Sequence, residues 1–189
     1  MTSQNNSHKL NDYLSPAEIC RLIVHAQKKY ARQLDKRIEF STDVSTRLPE
    51  LHAYTILSIL NNLTANAIEA IHERGSIAIS MKRMGSDLHL EVTNTGSSIP
   101  LRRLRQIFRP GYTTKYDSDG RASSGVGLTY VKSLAEHLGG SITAASDGKD
   151  NVTFHIALPL NSLMTHPIAN LPAVEKAGTA SSQQKGPLS

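Results

Sequence analysis

The chain has 189 residues, of which 39% are hydrophobic and 20% charged, a composition typical of one domain with a packed core. Its net charge is +5, because 21 Lys and Arg residues outnumber 16 Asp and Glu residues. No apolar stretch approaches the ~20 residues of a membrane-spanning helix, and no secretory signal is recognisable. The single cysteine excludes a disulfide framework. We therefore expect a cytoplasmic protein that makes no membrane contact through this segment.

Both ends of the chain have the composition of flexible segments. Residues 1–13 are polar and aperiodic, and residues 162–189 are rich in Ala, Ser, Pro and Gln. Such sequences bury too little apolar surface to offset the entropy lost on ordering. We therefore expect one folded domain over residues 14–161, with a flexible segment on either side.

The first half of this domain predicts two helices separated by a strand. Ser15 and Glu18 have the spacing of a capping box, and the helical pattern that follows them continues to about Gln33. A strand is predicted over residues 37–41, and the longest helical pattern extends over residues 51–71.

Strand patterns dominate the second half. Alternating apolar residues predict strands at 77–81, at 88–92, from 142 onward and at 152–158. Short helices are predicted at 101–108 and 125–138, and the polar segment 109–124 between them has the length of a functional loop. Together these elements predict an α+β fold, a two-layer α/β sandwich. Its mixed, mostly antiparallel sheet would be covered on one face by about three helices.

An asparagine pair on the helix at 51–71 is the first candidate site. Asn62 and Asn66 are four residues apart and Glu69 follows three later, so all three lie along one stripe of the helix. Asn is unfavourable inside helices, so two on one stripe call for an explanation. Amide oxygens suit Mg²⁺, which needs few protein ligands. A polar helix face with chance asparagines explains this stretch equally well.

Two glycine-containing turns are further candidates. Gly96 permits a tight turn after a strand, where Asn94 can present its amide to a base edge, although an ordinary turn is the simpler interpretation. Gly125 and Gly127 begin a helix, whose first backbone N–H groups favour phosphate. Lys115 can supply a cation to the same phosphates. The standard phosphate-loop and dinucleotide motifs are absent, so nucleotide binding would use another architecture.

Taken together, these motifs resemble those of the GHKL ATPase superfamily, whose fold is the Bergerat fold. The four motifs are an asparagine box at 62–70, a first glycine box at 94–100, a phenylalanine box at 107–115 and a second glycine box at 123–128. The chain is most similar to the catalytic, ATP-binding domain of bacterial sensor histidine kinases, particularly glutamine-sensing or related metabolite-sensing kinases. The resemblance covers about residues 15–160 and implies phosphoryl transfer from Mg-ATP to a histidine.

The resemblance also implies roles for individual residues. Asn66 corresponds to the Mg²⁺ ligand, and Asn62 lies one turn earlier, near the metal. The gyrase group has a catalytic Glu at the position of Asn62. Because Asn cannot accept a proton, transfer to a protein group is favoured over activation of water. Lys115 corresponds to a lysine of the ATP lid, residues 109–124, that reaches the terminal phosphate. Asn94 corresponds to an aspartate that contacts the adenine amino group.

Asn62 and Lys115 are thus the implied catalytic residues, and both also count among the implied cofactor-binding residues. The other cofactor-binding residues that the resemblance implies are Asn66, Asn94, Gly96, Ile99, Phe108, Thr114, Ser124, Gly125, Val126, Gly127 and Leu128. Four residues depart from the family pattern: Asn94 replaces an aspartate, Ser98 and Ser123 replace usual glycines, and Glu69 lies where kinases often carry Lys.

A phosphoacceptor histidine is not expected in this chain. None of its eight histidines has the sequence context of an acceptor, and only fourteen residues precede the first helix. The resemblance therefore implies that a dimerisation domain supplies the histidine, either from the same full-length protein or in trans. A response regulator would then be an indirect partner, and this chain alone would be inactive in autophosphorylation.

Other functions have weaker support. The altered glycine boxes leave open a degenerate nucleotide-binding module that acts by protein–protein interaction. A gyrase-type ATPase would need a carboxylate at position 62, where the chain has Asn. Nucleic acid is not expected as a partner, because no aromatic platform accompanies the basic residues. A basic cluster near the lid favours ATP or an acidic partner instead, and consists of Arg102, Arg103, Arg105, Arg109 and Lys115. A solvated helix face explains this cluster equally well.

Overall fold

A computed structural model describes residues 12–113 and 125–164. The helices are α1 (Pro16–Gln33), α2 (Ala53–Ala70), α3 (Gly127–His137) and α4 (Leu160–Met164). The strands are β1 (Tyr13–Leu14), β2 (Arg37–Val44), β3 (Leu51–His52), β4 (Arg74–Met84), β5 (Asp87–Thr95), β6 (Ser141–Ser146) and β7 (Asn151–Pro159).

Five of these strands form one sheet in the order β2-β4-β5-β7-β6. β2 pairs with β4 in parallel, and the other three pairings are antiparallel, which confirms the predicted mixed sheet. β1 and β3 form a separate two-stranded antiparallel sheet. In the large sheet Asn94, near the end of β5, lies between Ile77 of β4 and Val152 of β7.

The hydrophobic core lies between this sheet and the helices on one of its faces. Residues that alternate along β4, β5 and β7 are buried, as the strand patterns predict. On α2 the predicted apolar face is also buried, with Ile56, Leu60, Leu63 and Ala67 no more than 1% exposed. The core thus holds α2 against the sheet, which fixes the direction of the asparagine stripe.

Polar side chains occupy the other face of the sheet. Lys82 pairs with Asp43 across β4 and β2, with 2.9 Å between Nζ and Oδ2. His89 and His155 form a hydrogen bond of 2.9 Å between neighbouring strands. This face therefore has the hydrophilic character that the strand alternation predicts.

Several local structures differ from the sequence predictions. Tyr13, expected in the flexible segment 1–13, and Leu51–His52, expected in the helix 51–71, lie in the paired strands β1 and β3. The helix predicted at 101–108 is a short 3-10 turn, Leu101–Arg103, followed by turns. Within 101–108 only Ile107 is buried, so the segment lacks the apolar face that packing requires to stabilise a helix. α4 was not predicted, and it continues three residues past the expected domain end because Leu160 and Leu163 are buried.

None of the helices in the described part of the chain is long and apolar enough to cross a membrane. The expectation of flexible ends concerns residues 1–13 and 162–189, most of which lie outside the described residues.

Candidate functional site

A cavity of about 510 Å³ opens where α2, the loop after β5 and the start of α3 meet. This volume is within the usual range of small-molecule sites. Seven residues predicted from the sequence line it: Asn66, Asn94, Ile99, Gly125, Val126, Gly127 and Leu128. The fold therefore brings parts of the asparagine box and of both glycine boxes together, although Asn66 and Leu128 are distant in sequence.

Three other predicted residues lie next to the lining. A Cβ atom at Gly127 would be 3.0 Å from Oδ1 of Asn62, so Asn62 lies beside the start of α3. Phe108 packs edge to face on Phe154, which lines the cavity, with 6.4 Å between the ring centroids. Gly96 lies in the loop after β5. Thr114, Lys115 and Ser124, with the altered position Ser123, lie outside the described residues.

The asparagine stripe of α2 faces the site with distinct side-chain contacts. Asn62 donates from Nδ2 to the Ser58 carbonyl at 2.8 Å, while its Oδ1 lies near α3. Glu69, at the other end of the stripe, accepts a hydrogen bond of 3.1 Å from the Tyr30 hydroxyl and also lines the cavity. Burial and the nearby Glu69 carboxylate raise the pKa of Tyr30. Glu69 thus connects the site to α1.

Asn94 is buried, with 2% of its surface exposed. Its position near the end of β5 places the side chain on the core face of the sheet, at the bottom of the cavity. Nδ2 donates to the Thr95 carbonyl at 3.0 Å. The other amide atom, Oδ1, can only accept a hydrogen bond, as a carboxylate oxygen does.

We call residues 96–99, which follow β5, the first glycine loop. Gly96 has φ +136°, and a Cβ there would be 2.6 Å from the Ala70 carbonyl oxygen at the end of α2. Both observations require glycine at this position. The loop is thus in direct backbone contact with the C-terminal end of the helix that carries Asn62 and Asn66.

Backbone hydrogen bonds fix this loop from two sides. On the α2 side, Ser97 donates its N–H to the Ala70 carbonyl at 3.1 Å. On the side of the turn between β6 and β7, Gly96 donates its N–H to the Asp150 carbonyl at 2.7 Å. In addition, the Ile99 N–H donates to Oγ of Ser146 at 3.2 Å. These bonds hold the loop in the conformation that lines the cavity.

The start of α3 is built from closely packed glycines. Gly125 has φ +59°, and a Cβ there would be 2.6 Å from the Tyr112 carbonyl oxygen. The N-cap residue, Val126, provides no side-chain hydrogen bond to the first turn. The first N–H groups of α3 are therefore available to bind an anion, to which the helix dipole adds a favourable field.

Several lining residues were not predicted as site residues: Arg103, Ile107, Tyr112, Val152 and Phe154. Val152 is the cross-strand neighbour of Asn94, so only the β5–β7 register reveals its place in the site. Arg103 was recognised in the basic cluster, and the structure places this member at the cavity. The cavity combines an apolar wall with a few polar groups, as is typical of small-molecule sites.

Residues 52–162 match the family of histidine kinase-, DNA gyrase B- and HSP90-like ATPases. The chain belongs to this family, and the resemblance seen in the four boxes is confirmed. The solved catalytic domain of histidine kinase ThkA superposes with a TM-score of 0.65 at 27% identity, covering 79% of this chain and 97% of that one. Full-length ShkA, solved with AMPPNP, shares the fold with a TM-score of 0.67 at 22% identity, covering 78% of this chain and 30% of that one.

Curated relatives are sensor histidine kinases. GlnK of Bacillus subtilis strain 168 is 34% identical over 160 residues, which are 84% of this chain and 39% of that protein. ZraS of Escherichia coli K12 is 31% identical over 151 residues, which are 78% of this chain and 31% of that protein. The chain spans about a third of the length of these relatives and is homologous to sensor histidine kinase catalytic domains.

Proposed function

We propose that this domain binds Mg-ATP and transfers the γ-phosphoryl group to a histidine of a dimerisation domain. One observation carries the proposal: Asn66, Asn94 and the start of α3 converge on a single cavity. A metal-ligating amide, a base-edge acceptor and an anion-binding helix end are the three parts that a magnesium nucleotide requires. We place the adenine near Asn94 and the phosphates near Gly125 and Gly127.

The residues present fit a magnesium ion. Mg²⁺ keeps several waters and is usually bound through one or two protein oxygens plus substrate phosphates. Asn66 would supply an amide oxygen, and Asn62 lies one turn away on the same stripe. When bound, the ion would neutralise charge on the β- and γ-phosphates. The chain's own contribution is to fix these amides on a helix held rigidly by the core.

The absence of a base at position 62 favours a protein acceptor over water. The Asn62 amide cannot accept a proton, and its Nδ2 already donates to the Ser58 carbonyl. Phosphoryl transfer depends mainly on positioning and charge stabilisation, which this site can provide without a base. We assign Lys115 to the terminal phosphate on the resemblance alone.

The partners follow from this assignment. The histidine would come from a dimerisation domain, in the same full-length protein or in trans, and a response regulator would receive the phosphoryl group afterwards. We expect this chain alone to be inactive in autophosphorylation and to act in the cytoplasm. The alternative function, a degenerate module that acts through protein–protein contacts, is favoured only by the altered glycine boxes, in which Asn94 replaces an aspartate and Ser98 and Ser123 replace glycines.

A titration with ATP, with and without Mg²⁺, tests the proposal. We expect Asn66→Ala to weaken Mg²⁺-dependent binding by about tenfold or more, equivalent to about 1.4 kcal/mol. The matched control is Asn61→Ala. Asn61 lies on the same helix but accepts a hydrogen bond of 2.8 Å from Gln27 of α1. This control should lower the melting temperature, because it leaves a buried amide unpaired, yet keep nucleotide affinity.

Two outcomes would contradict the proposal. No detectable binding at millimolar ATP by the folded chain would favour the protein-interaction module. Equal binding by wild type and Asn66→Ala would exclude the assigned metal ligand.

A second experiment tests phosphoryl transfer. Adding a histidine-containing dimerisation domain from a sensor kinase should give phosphohistidine on that domain, and acid-labile radiolabel transferred from ATP would detect it.

A further inference from the structure

The C-terminal end of α2 lacks the usual helix-terminating features. Its C-cap residue, Ile71, is extended at φ −83° and ψ 131°, and its last turn contains no basic residue. A glycine in the left-handed region, which commonly ends helices, is not used here. The last carbonyl groups of a helix have no intrahelical partner, so this end needs hydrogen-bond donors from elsewhere.

Lys36 supplies these donors from the segment between α1 and β2. Its Nζ donates to the carbonyls of Ile68 at 2.9 Å, Glu69 at 3.2 Å and Ile71 at 2.6 Å. An ammonium group has three N–H donors, so all three are used by one helix end. The positive charge also lies at the negative end of the helix dipole, which strengthens the contact.

Among the carbonyls of residues 68–71, that of Ala70 is the one that does not accept a hydrogen bond from Lys36. It contacts the first glycine loop instead. Ala70 accepts the hydrogen bond from the Ser97 N–H at 3.1 Å and packs directly against Gly96. The carbonyls on either side of it, those of Glu69 and Ile71, both accept from the Lys36 ammonium. The Lys36 contacts therefore flank the carbonyl on which the first glycine loop rests.

We propose that Lys36 is a positioning residue for the nucleotide site. It holds the end of α2 so that Ala70 binds Ser97, and this keeps the first glycine loop in the conformation that lines the cavity. Ser97, Ser98 and Ile99 of this loop are all lining residues. Lys36 is not among the residues that line the cavity, so its effect is exerted through the backbone. The consequence for nucleotide affinity rests on the proposed function.

A purely stabilising role makes a different prediction. If Lys36 only added global stability, its loss would accelerate hydrogen exchange equally at all amides that open by global unfolding. If Lys36 positions the loop, the Ser97 amide loses protection by local opening, beyond any change at Val92 in the centre of the sheet. Amide exchange measured residue by residue by NMR therefore separates the two roles.

The test compares Lys36→Met with Lys29→Met in the full chain. Met retains the apolar stem and removes the ammonium, and Lys29 is an exposed lysine on α1. We expect Lys36→Met to raise exchange at Ser97 by about tenfold relative to Val92, with no such difference in Lys29→Met. ATP affinity should fall by about fivefold or more in Lys36→Met only.

A second variant covers the case in which Lys36→Met does not fold. Lys36→Arg keeps the charge, but a planar guanidinium cannot direct its donors at three carbonyls in the way a compact ammonium does. We expect this variant to fold and to show a smaller, still selective, rise in exchange at Ser97. Equal exchange changes at Ser97 and Val92 in the folded variants would overturn the proposal.

The exchange measurement needs no nucleotide, so it decides whether Lys36 holds the first glycine loop even if the wild-type chain fails to bind ATP. That failure would contradict the proposed function only. Conversely, selective opening at Ser97 with unchanged ATP affinity would overturn the role of Lys36 in nucleotide positioning and leave the proposed function intact.

Discussion

In the proposed function, recognition of the base depends most directly on Asn94. It is buried, and its Nδ2 is held by the Thr95 carbonyl. In the proposed complex its oxygen accepts from the adenine amino group. Guanine carries an acceptor at that position, so this orientation of the amide disfavours GTP.

Asn94→Leu tests this assignment. Leu has a similar size and suits a buried position, so the fold should be retained, while the acceptor is lost. We expect ATP affinity to fall by about tenfold and the preference for ATP over GTP to disappear. Competition titrations with both nucleotides measure the change. An unchanged ATP-to-GTP ratio would exclude Asn94 as the base contact.

How far sequence predicts the site depends on the kind of residue. Asn62 and Asn66 are recognisable because amides inside a helix are unfavourable and match a family motif. Asn94 follows an ordinary turn pattern and is recognisable only through its position in a family motif. Phe154 is not recognisable in this way, since a large apolar residue in an alternating strand is expected whether or not a ligand is nearby. Its role depends on the β5–β7 register, which local patterns do not fix.

At the level of elements, the contact between the first glycine loop and α2 leaves no room for a side chain at position 96. Gly96→Ala would place a methyl group 2.6 Å from the Ala70 carbonyl oxygen, at a φ of +136°. We expect it to destabilise the domain by about 2 kcal/mol or more. Gly85→Ala is the control, because Gly85 also has positive φ, +63°, but nothing lies within 4 Å of its Cβ position. It should cost about 1 kcal/mol.

Urea unfolding of both variants measures the difference. A similar loss of stability in the two would mean that the Ala70 contact adds nothing to the cost of positive φ. Nucleotide affinity should fall in Gly96→Ala but not in Gly85→Ala, because only Gly96 belongs to the loop that lines the cavity.

The turn between β6 and β7 contacts the first glycine loop on the side opposite α2. The Asp147 carboxylate accepts the hydrogen bonds that hold this turn together. Hydrogen bonds from the backbone and side chain of Asn151, and from the Lys149 backbone, lower the pKa of Asp147 from 3.8 to about 2. Because the pKa is lower in the folded state, the contribution of these bonds is complete above about pH 4. It is lost as the pH falls from there toward 2.

We expect Asn151→Ala to raise the pKa of Asp147, because the side-chain donor at 2.7 Å is removed. The backbone donors at positions 149 and 151 remain, so the value should stay below 3.8. An NMR titration of the Asp147 carboxyl carbon in both proteins measures this. An unchanged midpoint would show that the side-chain bond does not hold the carboxylate.

Elements with their own apolar pattern are predicted well, and pairings between distant segments are not. The buried face of α2 and the alternation along β5 and β7 follow from periodicity, and the structure confirms them. The parallel pairing of β2 with β4 joins segments on either side of α2, which no turn motif specifies. The segment 101–108 shows the reverse case, where a helical pattern without sufficient burial remains a series of turns.

For the whole molecule, the net charge of +5 becomes informative once its distribution is known. Arg102, Arg103, Arg105 and Arg109 lie in the segment beside the cavity, and Arg103 lines it. A concentration of positive charge beside a site raises the local concentration and association rate of an anion such as ATP. The proposed function therefore predicts ATP binding that weakens with salt.

The variants Arg103→Gln and Arg83→Gln test whether the position of the charge matters. Each removes one positive charge, so their net charges are equal. Arg83 is opposite Leu88, six residues along β5 from Asn94 and thus ~20 Å from the base site. We expect Arg103→Gln to weaken ATP binding by about threefold to tenfold at about 0.1 M salt, and Arg83→Gln to have little effect. The difference should narrow at about 1 M salt, where charges are screened beyond ~3 Å. Equal effects of the two variants would mean that net charge alone attracts the nucleotide, and no effect of either would mean that the basic cluster does not contribute to ATP binding.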